Sequence, residues 1–145
     1  MEIDTHWMQR AFEEARTAQA RDEVPVGAVV IHKPSETVVA SSGNCVEEDG
    51  DPIAHAEICV IREACRVLGK KWLDDCDLYV TLEPCPMCAQ AISHARIHTL
   101  YYGASDPKSG GVDHGPRVYT SSSAHHVPEV YGGLMEAQCA EILKE

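Results

Sequence analysis

Basic residues are scarce in this sequence of 145 residues. It has 12 lysines and arginines against 23 aspartates and glutamates, which gives a formal net charge of −11. A negative protein gains no general attraction to a polyanion, because long-range electrostatics then oppose the encounter. The composition therefore argues against any function that depends on a broad basic surface, and contact with a nucleic acid would have to be local.

Long apolar stretches, repeats and low-complexity tracts are also missing. The longest apolar run, "VPVGAVVI", is far shorter than the roughly 20 residues that cross a bilayer as a helix. The start, "MEIDTHWMQR", carries acidic residues and no apolar stretch, unlike a secretory signal. We therefore expect one domain over residues 1–145, located in the cytoplasm.

Seven cysteines are present, and this odd number predicts no complete disulfide framework in a cytoplasmic protein. In that setting a cysteine is a buried apolar residue, a reactive thiol or a metal ligand. Cys59 and Cys65 fall within "ICVIREAC" and are assigned to the core, and Cys139 is assigned to the packing of the last helix. Two others, Cys85 and Cys88, require a separate explanation.

Hydrophobic periodicity predicts alternating helices and strands. "HWMQRAFEEARTAQAR" is typical of a helix, and "VGAVVIH" and "TVVASS" of a β-hairpin. Further strands are predicted at "DLYVTL", "TLYYGA" and "VPEVYG". Helices are predicted from His55 to Leu68, from Pro86 towards Arg96, and over the last residues. Such alternation implies parallel pairing with helices on both faces, which is a three-layer α/β/α domain with its site at the strand ends.

The segment "TLEPCPMC", residues 81–88, places two thiols at the predicted start of a helix. Residues three apart share one face of a helix, and a helix N-terminus favours thiolate over thiol. Cys85 and Cys88 are therefore candidate zinc ligands. A catalytic zinc site needs one more protein ligand and a water molecule, whereas a structural site needs two more ligands.

The segment "AHAE", residues 54–57, can complete such a site. His55 offers a third ligand, and Glu57 would lie beside the metal as a proton shuttle. Either motif alone is weak, because a CxxC pair is also used in redox chemistry and helix starts attract glutamate. Their combination, each opening a helix with a strand between them, predicts a catalytic zinc centre.

H-x-E followed by P-C-x-x-C resembles the signature of the cytidine and deoxycytidylate deaminase superfamily. The segments "DEVPVGAV", "DPIAHAEI", "LYVTLEPCPMCAQAI" and "YYGASDPKSGG" further resemble its bacterial tRNA-specific adenosine deaminase branch. This resemblance covers nearly the whole chain. It implies a mixed five-stranded sheet between helices, a homodimer, and deamination of adenosine in a tRNA anticodon loop.

The resemblance also implies roles for individual residues. One zinc ion per chain would lie on His55, Cys85 and Cys88, with Glu57 as the catalytic proton shuttle. Three further residues would contact the substrate: Asn44 by hydrogen bonding to the base, and Asp106 and Lys108 from a loop that embraces the nucleotide.

Two alternatives remain open from the sequence. The first is a deaminase of a free base such as guanine, since guanine deaminases share "DPxAHAE" and "EPCPMC" and a free base needs no basic surface. The second belongs to another class: a noncatalytic partner subunit that binds a structural zinc, whose closed site would need four protein ligands.

Overall fold

Five strands form one mixed sheet in the computed structural model, which describes residues 5–144. The strands are β1 (Gly27–His32), β2 (Thr37–Gly43), β3 (Cys76–Leu82), β4 (Thr99–Ala104) and β5 (Glu129–Tyr131). The helices are α1 (His6–Ala20), α2 (Val46–Asp49), α3 (Ala56–Leu68), α4 (Pro86–Ala95) and α5 (Glu136–Ile142). Among the described residues, no helix is both long and apolar enough to cross a membrane.

The strand order is β2-β1-β3-β4-β5, and the pairing directions bring the carboxyl ends of four strands to one edge of the sheet. β1 pairs antiparallel with both β2 and β3, whereas β4 pairs parallel with β3 and with β5. β2, β3, β4 and β5 therefore run in the same direction and end at the same edge, which we call the carboxyl edge. The loops that follow β2, β3 and β4 meet there.

Helices cover both faces of the sheet, which confirms the α/β/α architecture expected from the sequence. Successive residues of β1 alternate between two apolar cores, as the period of a strand requires. Val29 packs with Met8 of α1 on one face. Val30 belongs to the core on the other face, which also contains Val60 of α3 and Ile92 of α4. Because β1 is buried on both faces, its sequence is continuously apolar rather than alternating.

Helix α1 packs unusually closely on β1. Its inner face is a row of fully buried alanines that includes Ala11 and Ala15. A Cβ atom placed on Gly27 would lie 2.0 Å from the carbonyl oxygen of Ala11 and 2.5 Å from the backbone nitrogen of Ala15. Glycine at position 27 therefore lets the helix backbone touch the strand.

The sequence-based boundaries agree closely with the structure, except that the predicted strand "VPEVYG" is reduced to the three residues of β5. The acidic segment "CVEEDGDP", for which the sequence analysis predicts neither helix nor strand, contains the four-residue helix α2. The buried carboxylate of Glu23 accepts the backbone N–H of Glu47 (3.0 Å) and of Glu48 (2.7 Å). A negative group at a helix N-terminus satisfies amides that the helix itself leaves free. Local sequence does not show that partner, because Glu23 lies before β1.

Candidate metal centre

Three side chains with metal-binding atoms converge at the carboxyl edge. His55 is the residue immediately before α3, Cys85 is the residue immediately before α4, and Cys88 lies in the first turn of α4. Nδ1 of His55 lies 3.7 Å from Sγ of Cys85 and 3.5 Å from Sγ of Cys88. The two helices start side by side because β2 and β3 end at the same edge of the sheet.

These distances fit a tetrahedral zinc ion. With Zn–S near 2.3 Å and Zn–N near 2.0 Å, tetrahedral angles separate a sulfur and a nitrogen ligand by about 3.5 Å. The ligand atoms of His55, Cys85 and Cys88 all lie within 4.8 Å of one another, and no other such cluster is found within residues 5–144. Three protein ligands leave one of the four positions for a nonprotein ligand, which is typical of catalytic zinc.

The two thiols differ in their affinity for protons. The hydrogen bond from Cys88, helped by the Cys88 backbone N–H and by His55, lowers the pKa of Cys85 to about 5. The same contact with Cys85 raises the pKa of Cys88, and burial adds to the effect. Cys85 is therefore the more readily ionised of the two thiols, and thiolate is the form that binds a metal.

Glu57 lies in the first turn of α3 and is only 4% exposed. Burial, together with the nearby charge of Cys85, raises the pKa of its carboxyl group to about 7. A carboxyl group with a pKa near neutrality can both accept and release a proton at physiological pH, as a general acid–base catalyst must.

A cavity of about 210 Å³ opens beside these residues. This is below the range of roughly 300–1,000 Å³ that is usual for pockets of drug-sized ligands, so it suits a single small ring system. Its walls combine apolar and polar side chains: Val24, Val26, Asn44, His55, Glu57, Leu82, Glu83, Cys85, Asp106 and Ser109.

Two of the three residues expected to contact the substrate line the cavity, and the third does not. Asn44 and Asp106 line the cavity together with Glu57. Lys108 belongs to the same loop as Asp106, but its side chain is exposed and does not line the cavity. It is the sequence neighbour of Ser109, which lines the cavity, so its exposed ammonium group is free to contact groups outside the pocket.

Hydrogen bonds fix the orientation of Asn44. Its side-chain oxygen Oδ1 accepts the backbone N–H of Ala56 (2.9 Å), and its backbone N–H donates to the carbonyl oxygen of Val26 (3.1 Å). Arg21 donates to the backbone carbonyl oxygen of Asn44 (2.9 Å). Because Oδ1 is engaged, the side-chain amide N–H₂ is the group that Asn44 offers to the cavity.

One lining residue, Glu83, was not identified from the sequence. Its side chain is fully buried, and it accepts hydrogen bonds from the backbone of Asp106, Val112, Asp113 and His114. Burial opposes its ionisation, but these N–H groups and the His114 ring outweigh burial and lower the pKa of Glu83. The available signal was an acidic residue directly after a strand that is buried on both faces.

Comparison with known proteins identifies the class. The cytidine and deoxycytidylate deaminase zinc-binding region matches residues 1–104. The tRNA-specific adenosine deaminase of Agrobacterium fabrum is 55% identical over 141 residues, covering 97% of this chain and 91% of that protein. The chain belongs to the cytidine and deoxycytidylate deaminase family, which confirms the family expected from its H-x-E and P-C-x-x-C motifs.

Two solved structures resemble this chain to different degrees. A structure from a study of A-to-I editing by tRNA:A34 deaminases at the wobble position of transfer RNA has a TM-score of 0.93 and 55% identity, and covers 96% of this chain and 99% of that one. The guanine deaminase of Nitrosomonas europaea has a TM-score of 0.83 over 99% of this chain and 84% of its own, but 23% identity. That second likeness establishes the fold alone.

Proposed function

We propose that this chain is a zinc-dependent hydrolase that converts adenosine to inosine at the wobble position of a tRNA anticodon loop. One observation carries the proposal: three metal-binding side chains and a buried carboxyl group with a pKa near 7 converge at a cavity sized for one ring system. The relatives named above, which are tRNA-specific adenosine deaminases, support this substrate.

Zinc held by His55, Cys85 and Cys88 would supply a Lewis acid that makes water nucleophilic at neutral pH. Glu57 accepts a proton from the water that attacks the amino-bearing ring carbon. It passes that proton to the ring nitrogen. It then takes the second proton from the hydroxyl group that the attack has placed on the ring carbon, and passes it to the amino group as the carbon–nitrogen bond breaks. The balance is adenosine and water to inosine and ammonia, with Glu57 restored at the end of the cycle.

The cavity walls bind and orient the base. Val24, Val26 and Leu82 supply apolar surface, and the amide group of Asn44 supplies a hydrogen-bond donor for an acceptor on the base. A base that is stacked in the RNA cannot enter a cavity of this size. The target nucleotide therefore has to flip out of the anticodon loop before it binds. Anticodon loops present unstacked bases, which makes this turn energetically modest.

We further propose that the protein is a homodimer that binds one zinc ion per chain and works on tRNA in the cytoplasm, as residues 1–145 of a single domain. A shallow groove between α3 and α4, lined in part by Ile58, Ile61 and Ala91, is consistent with a contact between two copies. Sedimentation analysis would give the oligomeric state, and elemental analysis would give the number of zinc ions.

The substrate is tested by incubating the purified protein with an anticodon stem-loop that carries adenosine at the wobble position, beside free guanine, cytosine and adenosine. We expect inosine at the wobble position and no change in the free compounds. If the stem-loop adenosine persists while free guanine is deaminated, the free-base alternative replaces the tRNA proposal.

The noncatalytic alternative has less support. A structural zinc site is closed by four protein ligands, whereas the cluster found within residues 5–144 has three. A protein with a purely structural zinc would also be indifferent to loss of the Glu57 carboxyl group.

A further inference from the structure

The loop after β4 forms one wall of the cavity, and it is attached to the sheet through Glu83. The carboxylate of Glu83 accepts the backbone N–H of Asp106 (3.0 Å) at the start of this wall. At its end it accepts the N–H groups of Val112 (3.2 Å), Asp113 (2.9 Å) and His114 (3.1 Å). The ring of His114, through Nδ1, adds a fifth contact at 2.7 Å. One carboxylate thus ties together both ends of residues 106–114.

The atoms that face the cavity belong to the part of the loop between these two attachments. Asp106 and Ser109 line the cavity. Their relative position is set by the N–H of Ser109, which donates to Oδ1 of Asp106 (3.0 Å), and by the N–H of Gly110, which donates to the Asp106 carbonyl oxygen (2.8 Å). The placement of this wall therefore depends on where Glu83 holds Asp106.

Two glycines allow the loop to wrap tightly around the carboxylate. A Cβ atom on Gly110 would lie 2.5 Å from Oε2 of Glu83, and one on Gly111 would lie 2.6 Å from the backbone nitrogen of Pro86. Any larger side chain at either position would push the wall away from the sheet. The "GG" of this segment is explained by that close approach.

The five groups that contact the side chain of Glu83 require a carboxylate at this position. An ionised glutamate only accepts hydrogen bonds, whereas glutamine replaces one acceptor oxygen with an N–H₂ donor. In either amide orientation that donor would face at least one backbone N–H, and a buried N–H without an acceptor is costly. Glutamine at position 83 would therefore release one end of the wall while preserving the size of the side chain.

We propose that Glu83 is a positioning residue for substrate binding, which holds the 106–114 wall in the arrangement that receives the target base. The inference rests on the proposed deaminase function. Glu83 acts through the loop and does not itself exchange protons with the substrate.

The test compares Glu83→Gln with wild type by hydrogen exchange and by kinetics. We expect the amide hydrogens of residues 106–114 to exchange with solvent about tenfold faster or more. Local opening of the loop costs less free energy once some of its hydrogen bonds to residue 83 are gone. The KM for the stem-loop should rise about tenfold while kcat changes much less, because binding geometry is lost and Glu57 is intact. Zinc content should stay at the wild-type value.

Asp77→Asn is the matched control. Asp77 is also a buried carboxylate on β3, at the opposite end of the strand, beside Lys33 and His98. This variant should leave both exchange in 106–114 and KM at wild-type values. His114→Ala removes one of the five contacts and should give a smaller effect in the same direction, which keeps the test decisive if Glu83→Gln does not fold.

Unchanged exchange in 106–114 would overturn the proposal, and so would faster exchange with an unchanged KM, since Glu83 would then be a structural anchor only. The exchange measurement needs no substrate. Wild-type protein that deaminates no stem-loop would contradict the proposed function, while the exchange data would still show whether Glu83 holds the wall.

Discussion

Glu57 combines the properties that proton transfer demands, because it is buried, adjacent to the candidate zinc ligands and has a pKa raised to about 7. Glu57→Gln preserves shape but cannot carry protons. We expect at least ~10²–10⁴-fold loss of kcat, the usual contribution of a general acid–base group, with unchanged zinc content. Glu63→Gln, on the exposed face of the same helix and paired with Arg66, is the control and should retain full activity. Near wild-type turnover in Glu57→Gln would exclude the shuttle role.

Cys88 is the most buried of the three candidate ligands. Cys88→Ala should lose zinc and lower Tm, because a metal that binds only the folded state stabilises it. Elemental analysis and thermal unfolding would measure both effects. Cys65→Ala, a thiol outside the cluster, should keep its zinc. A full zinc content in Cys88→Ala would contradict the ligand assignment.

Asn44 is predicted to act as a donor because Oδ1 already accepts the N–H of Ala56. In Asn44→Asp, one carboxylate oxygen can still accept the N–H of Ala56. The other oxygen replaces the N–H₂ donor, so it would face the hydrogen-bond acceptor on the base. We expect kcat/KM to fall by about 5- to 150-fold, which corresponds to ~1–3 kcal/mol for an unsatisfied polar contact. Asn44→Ala should lose the donor together with the bond to Ala56. Equal activity of Asn44→Asp and wild type would show that Asn44 does not contact the substrate.

At the scale of elements, the contact between α1 and β1 leaves no space for a side chain at Gly27. Gly27→Ala should lower the free energy of unfolding by about 3 kcal/mol or more, at the upper end of overpacking costs, because both helix and strand backbones must move. Chemical denaturation would measure the change. Gly50→Ala is the control: its φ is +58° and no atom lies within 4 Å of an added Cβ. Gly50→Ala should lower the free energy of unfolding by only ~1 kcal/mol, which is the cost of holding a residue other than glycine in the left-handed conformation. A smaller effect at Gly27 than at Gly50 would contradict the packing argument.

The elements and the clustering of the three candidate zinc ligands were predictable because they depend on local patterns. Apolar spacing identifies α3, and Pro86 in the first turn of α4 follows from its fixed φ and missing N–H. The roles of Glu23 and Glu83 were not predictable in this way. Each accepts backbone N–H groups from residues more than 20 positions away, and only the path of the folded chain shows which amides those are. β1 and β3 are antiparallel neighbours that are separated in sequence by β2, α2 and α3, so their pairing is likewise a long-range property.

At the scale of the whole molecule, a net charge of −11 has to be reconciled with an RNA substrate. Part of the acidic charge is partnered within the fold: Glu23 caps α2, and Asp75 pairs with Lys70 at 2.9 Å. Charges far from the pocket are screened beyond about 10 Å at ordinary ionic strength. What matters for binding is therefore the charge at the carboxyl edge.

Two cations at that edge, Lys108 and Arg117, are exposed on the loop after β4 and form no ion pair with any residue in 5–144. If each contacts one phosphate of the loop, the logarithm of the binding constant should fall with the logarithm of salt concentration with a slope of about −1.4, or −0.7 per contact. Replacing both residues with alanine should weaken stem-loop binding and bring this slope close to zero. Lys70→Ala removes the same charge at the opposite edge of the sheet, where Lys70 precedes β3, and should leave the slope unchanged. Fluorescence anisotropy over a salt series would measure all three proteins. A slope that the double substitution does not alter would show that the RNA backbone is held by other groups.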